Sequence, residues 1–273
     1  MKLKHLKFIR IIVPLVFVFG GCITPSDKIP SVPDSPAVPN DFFINAALYN
    51  YYTAEYKALA YQAFNSASDY LELLKLKKTR DTKMAIVLDI DETLLDNSPY
   101  QARLYEINSS YDTLWNVWCN MAIAKPVPGA VEFLNFADSL GYNIFYVSNR
   151  KHKPVYRSTL KNLLDAGFPQ ADSSHIHLRT DSNSKQARRE LIEKNYDIVM
   201  LVGDNIADFY EDTDNYAARD SIVEANKAHF GRRFVALPNA IYGNWLNSLQ
   251  IEKKSDVDSL ISIMTLPFEQ LTP

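Results

Sequence analysis

Apolar residues divide the chain into stretches of different period. Residues 1–21 combine a basic start, an apolar run over 11–19, and then Gly20, Gly21 and Cys22 immediately after. Between 41 and about 76, Tyr52, Tyr56, Leu59, Ala63, Ala67, Tyr70 and Leu74 recur three or four residues apart. That spacing predicts one or two long amphipathic helices with this stripe as the packing face. After Lys83 the texture changes to short β-rich runs at 85–90, 143–148, 176–179, 198–202 and 234–237, with helix-like segments between them. The segments 131–140 and 155–166 end at Gly141 and Gly167, and glycine readily adopts the left-handed conformation that closes a helix. Strand runs alternating with helices predict an α/β fold, a parallel sheet flanked by helices. The stretch 97–126, rich in tyrosine and holding Trp115 and Trp118, breaks the rhythm. It is expected to form an inserted loop or small helical cap near a site.

The apolar run at 11–19 is too short for a finished membrane span, which takes about 20 residues, and its layout is that of a secretory signal. Residues 23–40 are rich in Ser and Asp and space Pro25, Pro30, Pro33, Pro36 and Pro39 along an extended, solvated tether. The expected organisation is a signal over 1–21, a tether over 22–40 and a folded region over 41–273. Its core lies at about 83–250, and a smaller helical cap is drawn from 41–80, 97–126 and the C-terminal segment. A hydrophobic content of 47% suffices for one ordinary core. The formal charge is −3, and setting aside Lys2, Lys4, Lys7 and Arg10 leaves 25 basic against 32 acidic residues, or −7. Without clustered Lys and Arg, nucleic acid is not an expected partner, whereas small phosphorylated molecules are compatible. With Cys22 set apart, Cys119 is left alone, so no disulfide is expected within the mature chain. Cys119 reads as packing, and His152, His175, His177 and His229 form no recognisable ligand motif. Neither GxGxxG nor GxxxxGK[ST] occurs, which excludes the usual dinucleotide and P-loop phosphate cradles.

The run over 85–89 is apolar until it ends in Asp89, and Ile90, Asp91, Glu92 and Thr93 follow. In open parallel sheets ligands bind beyond the carboxyl ends of the strands, which is where these acids fall. Alone, the pair reads as a polar turn almost as readily. Three further groups stand in the same position: Ser148 with Asn149 and Arg150 after one run, Gly203 with Asp204 after another, and Lys185 opening a helical stretch after 176–179. Together they point to a single site.

In this order the motifs resemble those of the haloacid dehalogenase (HAD) superfamily: DxDxT at 89–93, a strand-end hydroxyl at Ser148, a lysine at Lys185, and the late acids Asp204 and Asp208. Longer runs narrow the resemblance. DIDETLLDNSPY at 89–100, PVPGAVEF at 126–133, SNR at 148–150, GDNIADF at 203–209 and LPNAIYGNW at 237–245 are similar to the lipoprotein acid phosphatases. These are the class C nonspecific acid phosphatases, subfamily IIIB, and the similarity runs from about 54 to 245. Gly20-Gly21-Cys22 resembles the lipobox of bacterial lipoproteins, with Phe19 standing where that pattern prefers an aliphatic residue.

The resemblance implies a Rossmann-like sheet with a smaller helical cap and a phosphatase that forms a phospho-aspartate on Asp89. Asp91 would protonate the leaving group and later take a proton from the hydrolytic water, with a mildly acidic optimum. Ser148, the amide of Asn149, and Lys185 would bind phosphate. Mg²⁺ would sit on the carboxylates of Asp89 and Asp204 and the backbone carbonyl of Asp91, with Asp208 holding a water; hard oxygen ligands suit that ion. The implied substrates are phosphomonoesters, among them nucleoside 5′-monophosphates and nicotinamide mononucleotide. Tyr242 and Trp115, or Trp118, are the candidates for stacking on a base. A lipid on Cys22 would anchor the protein in the bacterial cell envelope, with the outer membrane the expected one. The stripe at 41–76 would serve a homodimer as easily as a cap. In the segment Asp181-Ser-Asn-Ser-Lys185, Ser182 stands where a second lysine would be expected, leaving Lys185 as the matching basic group. Two other readings use the same scaffold: a surface lipoprotein that binds without catalysis, whose signature would be a lost acid or lysine, and a sugar-phosphate phosphatase or phosphotransferase.

Overall fold

The structure, a computed structural model, describes residues 40–77, 82–109, 114–211, 215–249 and 254–265. Two units divide the chain: Met1–Val32, which lies wholly outside the described residues together with the expected signal and Cys22, and Pro33–Pro273.

The folded unit opens with two helices, α1 (Asn40–Tyr52) and α2 (Ala54–Lys77). Thr53 separates them by capping both: its hydroxyl donates to the Tyr49 carbonyl at 2.7 Å and accepts from the Tyr56 amide at 3.2 Å. The packing face of α2 keeps Tyr56 and Ala67 of the expected stripe, with Ala63 and Tyr70 packed partly against the core, but is rotated from it. Tyr56, Ala60, Phe64, Ala67 and Leu71 are buried, whereas Tyr52 and Leu59 are exposed. Both sets satisfy helical spacing. The observed one alternates large side chains with alanines, which lets α2 approach the sheet closely.

Five parallel strands form the main sheet: β1 (Met84–Leu88), β4 (Asn143–Lys151), β5 (Ile176–Arg179), β6 (Asp197–Gly203) and β7 (Phe234–Ala236). A separate antiparallel pair, β2 (Leu95–Asp96) and β3 (Lys125–Pro126), brackets an excursion containing α3 (Ser98–Glu106) and α4 (Trp115–Met121). The remaining helices are α5 (Ala130–Ser139), α6 (His152–Asp165), α7 (Gln186–Glu193), α8 (Tyr216–Asn226), α9 (Asn244–Ser248) and α10 (Lys254–Thr265).

The sheet order is β5-β4-β1-β6-β7. β1 pairs with β4 on one side and β6 on the other, so the order reverses beside it. Alternation along these strands makes two cores. Ile86, Leu88, Ile144, Tyr146, Met200 and Val202 face the layer of α2 and α5, and Ala85, Val87, Phe145, Val147 and Leu201 face Ile192, Phe209 and Phe234. Each fully buried Leu or Ile stabilises such a layer by about 1.5–3 kcal/mol. β1 ends one residue before Asp89, earlier than the expected limit at Ile90. The Asp89 amide still donates to Val202, but the Ile90 carbonyl then accepts from both Leu94 and Leu95, and this turn takes the chain out of the sheet.

Candidate active site

Three central strands deliver their polar ends to one edge of the sheet: Asp89 follows β1, Ser148 lies near the end of β4, and Asp204 follows β6. A cavity of about 770 Å³ opens there, within the range of small-molecule sites. Asp89, Asp91, Ser148, Asn149, Lys185, Asp204, Asp208, Tyr242 and Trp115 all line it, whereas Trp118, the alternative stacking candidate, does not.

Asp89, Asp204 and Asp208 place carboxylate oxygens within 4.8 Å of one another. Lys185, at the N-cap of α7, points its ammonium between two of them, bonding Asp89 Oδ1 and lying 2.5 Å from Asp208 Oδ1. Asp204 is held instead by neutral donors, Thr93 Oγ1 at 3.1 Å and Asn239 Nδ2 at 2.8 Å. Three clustered carboxylates therefore have one ammonium among them, shared by Asp89 and Asp208 and not bonded to Asp204. Burial pushes the Asp89 carboxyl up to about 7, with Asp208 and Asp91 adding to the effect and Lys185 opposing it. Burial likewise raises Asp204 well above the carboxylate range, helped by Asp208 and Asp89. For Lys185, burial works against the charge, but Asp208 and Asp89 overcome it and raise the ammonium. A buried, all-oxygen, under-compensated cluster of this kind fits a hard divalent cation.

Asp208 reaches the cluster through a tight turn over Ile206–Asp208, its second oxygen accepting from the Asn205 amide at 3.0 Å. That turn depends on Gly203, because a Cβ there would lie 2.2 Å from Asp208 Oδ2. Any side chain at 203 would drive Asp208 out.

Asp91 belongs to a different set of contacts. Its carboxylate accepts from Arg150, with Nη2 at 2.7 Å from Oδ1 and Nε at 3.0 and 3.1 Å from the two oxygens. Asn97 Nδ2 donates to it at 3.0 Å and Ser148 Oγ at 3.3 Å. Its oxygens thus lie outside the carboxylate cluster, which leaves its backbone carbonyl as the atom considered for a metal. Burial opposes the Arg150 charge, yet Asp91 outweighs it and raises the guanidinium further.

Several of these partners were given no role from the sequence. Arg150 is 1% exposed and could have been found by carrying the strand alternation past Ser148, since residues two apart on a strand share a face. Arg188 and Arg189 stand three and four residues after Lys185, a helical spacing that puts all three on one side of α7. Arg188 bonds the Ser148 carbonyl and Asn149 Oδ1, both at 2.6 Å, and Arg189 bonds the Asp208 carbonyl at 2.8 Å. Thr93 lay in the DxDxT motif. Glu92, Asn97 and Asn239 carried no local signal as partners.

Among the aromatic candidates, Trp115 lies 5.8 Å from the Arg150 guanidinium and 5.1 Å from Tyr100, which fixes its ring at the cavity wall. The Tyr242 hydroxyl donates to Glu92 Oε2. Trp118 donates to Asn97 Oδ1 at 2.7 Å and packs against the core. Cys119 is buried, and burial pushes its thiol up to about 12.

A family model for acid phosphatases of the HAD superfamily, subfamily IIIB, matches residues 32–245. The class C acid phosphatase of Bacillus anthracis superimposes with a TM-score of 0.76 at 39% identity, over 83% of this chain and 97% of that one. A second structure of that protein, with tungstate bound, gives 0.75 at 36% identity over 82% and 96%. Acid phosphatase 1 of Solanum lycopersicum is 26% identical over 170 residues, 59% of this chain and 65% of the plant protein.

Proposed function

The chain belongs to the class C acid phosphatases, subfamily IIIB of the HAD superfamily, and within that phosphomonoesterase family we propose that it works through a phospho-aspartate on Asp89 with Mg²⁺ as its ion. The observation that carries the proposal is the division of contacts at the cavity: Asp89 beside Lys185 in an under-compensated carboxylate cluster, and Asp91 turned away toward Arg150.

A phosphomonoester dianion repels a carboxylate, so positive charge must be gathered before attack. The carboxylates of Asp89 and Asp204 and the Asp91 backbone carbonyl would hold Mg²⁺, with Asp208 holding one of its waters, and the ion would supply charge neutralisation at the phosphoryl oxygens. Lys185 keeps the Asp89 carboxylate oriented from α7, and Ser148 Oγ with the Asn149 amide would receive the non-bridging oxygens. An Asp89 oxygen forms a bond to phosphorus as the ester P–O bond breaks, and Asp91 delivers its proton to the departing oxygen. Water then attacks the acyl phosphate and gives its proton to Asp91, releasing phosphate and restoring both acids. A larger share of carboxyl groups is protonated below neutrality, so turnover is expected to decline as the medium becomes alkaline. The tungstate complex of the Bacillus anthracis relative supports an oxyanion site on this scaffold.

Nucleoside 5′-monophosphates and nicotinamide mononucleotide are the proposed substrates, with the base between Tyr242 and Trp115 at the cavity wall. The proposal extends to the N-terminus, where Cys22 would be lipidated and hold the enzyme in the cell envelope. Mass spectrometry finding an unmodified Cys22 on the mature chain would overturn that part. For Asp89→Asn we expect turnover to fall on the order of 10⁴-fold or more with an unchanged circular dichroism spectrum. Retained turnover would remove Asp89 as the nucleophile.

A further inference from the structure

Glu92 separates the acid Asp91 from the rest of the turn and is 1% exposed, so it cannot touch a substrate. Its backbone is held at φ 56°, in the left-handed region that non-glycine residues occupy at a cost of roughly 1 kcal/mol. Three donors converge on its carboxyl group: the Asn97 amide at 3.0 Å from Oε1, Asn97 Nδ2 at 3.1 Å from Oε2, and the Tyr242 hydroxyl on Oε2.

Asn97 is fully buried, and the direction of its side-chain amide is settled by Trp118. An indole N–H only donates, so the atom facing Trp118 Nε1 must be the Asn97 oxygen. The Asn97 nitrogen is thereby turned toward the acids, where it donates to Asp91 Oδ1 at 3.0 Å and to Glu92. One amide thus joins the two neighbouring carboxyl groups. From the other side, Tyr242 joins Glu92 to the cavity wall.

We propose that Glu92 is a positioning residue for proton transfer: it fixes Asn97, through Asn97 it aims the Asp91 carboxyl, and its bond from Tyr242 ties that aim to the wall against which the substrate lies. The proposal rests on the reading of Asp91 as the proton donor. Glutamine at 92 keeps the length and one acceptor but sets an N–H₂ group against an Asn97 donor in either orientation, the Asn97 amide at the Oε1 place or Asn97 Nδ2 and the Tyr242 hydroxyl at the Oε2 place. At least one of those bonds must open, and Asp91 loses its fixed direction.

A misdirected proton donor matters most when the leaving group is a strong base. The test is kcat/KM for a graded series of aryl and alkyl phosphates, with Mg²⁺ present, for the unmodified enzyme, Asp91→Asn, Glu92→Gln and Tyr242→Phe. General acid catalysis is worth about 10²–10⁴-fold, so Glu92→Gln is expected to lose roughly tenfold on alkyl phosphates and under about twofold on 4-nitrophenyl phosphate. Tyr242→Phe removes only one donor and is expected to lose about threefold with the same selectivity. It keeps the test decisive if Glu92→Gln fails to fold. Equal losses on both substrate types, or none, in the folded variants would overturn the positioning role while Asp91→Asn still showed the selective loss. An Asp91→Asn enzyme without that selectivity would instead overturn Asp91 as the acid, and the positioning role with it.

Discussion

Asp89 and Asp91 are separated by one residue, yet the two sides of the site around them are built on different principles. On the Asp89 side, Asp89 and Asp208 share the ammonium of Lys185 while Asp204 has only neutral donors, and the ordinary compensation of buried charge is left incomplete. On the Asp91 side one carboxylate meets a guanidinium fork, an amide and a hydroxyl, and every contact is a matched donor. On a continued strand residues two apart would share a face, so it is the turn at Ile90, closed by the Leu94 and Leu95 amides on its carbonyl, that separates the pair. The contrast teaches how one short peptide can hold a nucleophile beside excess negative charge, ready for a cation, and next to it an acid whose Oδ1 is fixed by donors while Oδ2, met only at 3.1 and 3.3 Å, is left to carry the proton.

Lys185 is where the contrast breaks most severely. Lys185→Ala leaves Asp89 and Asp208 buried without their shared cation, and removing one partner of a buried pair costs roughly 3–5 kcal/mol. We expect that loss in urea unfolding of the chelated protein, together with a fall in kcat of on the order of 10²-fold or more. A variant as stable and active as the parent would show that the cluster does not need the ammonium.

Metal removal sharpens the same side. Asp89 is raised to about 7 and Asp204 well above its usual range, so the folded, metal-free protein keeps protons that the unfolded chain has already lost. Its stability contribution from these groups therefore falls as pH rises from about 4 toward about 7. A divalent ion displaces those protons. The gain in Tm from Mg²⁺ over a chelator is expected to grow between about pH 5 and about pH 7, with a ligand at a hundred times its Kd adding about 2.7 kcal/mol. A gain that shrinks over that interval would contradict the assignment of these acids as its ligands.

On the other side, Arg150→Lys keeps the charge but loses the planar fork that meets both Asp91 oxygens. A loss of roughly tenfold is expected on alkyl phosphates, with a smaller one on 4-nitrophenyl phosphate. The smallest effect belongs to the wall. Tyr242→Ala should raise KM for nucleoside 5′-monophosphates by about 5- to 10-fold, since stacking on a base is worth about 1–3 kcal/mol. KM for a small aryl phosphate should change less, and equal changes would reject stacking.

The same two sides differ in how far sequence alone revealed them. Asp89, Ser148 and Asp204 announce themselves because a central parallel strand is a continuous apolar run, and the polar residue that ends it falls at the ligand edge. Lys185 followed from its place at the start of α7. The matched partners of Asp91 were less legible. Arg150 follows Ser148 in a strand whose burial alternates at that point, with Asn149 exposed between them, but an arginine near a strand end reads first as a solvated rim residue. Asn97 and Tyr242 meet Glu92 from separate loops, and such contacts depend on where the chain returns and not on local period. The α2 face was legible in part for another reason: Tyr56 and Ala67 belong to the expected stripe and to the buried one, Ala60, Phe64 and Leu71 share the same helical period, and only the shape of the sheet chooses among them.

The most direct measurement concerns the covalent step. Mg²⁺-loaded enzyme is mixed with a phosphomonoester, quenched in acid during turnover, digested and mapped by mass spectrometry. A phosphoryl group carried by Asp89 and released by hydroxylamine is the expected result; label on Ser148 or on a histidine, or turnover with no covalent label at any quench time, would contradict Asp89 as the nucleophile.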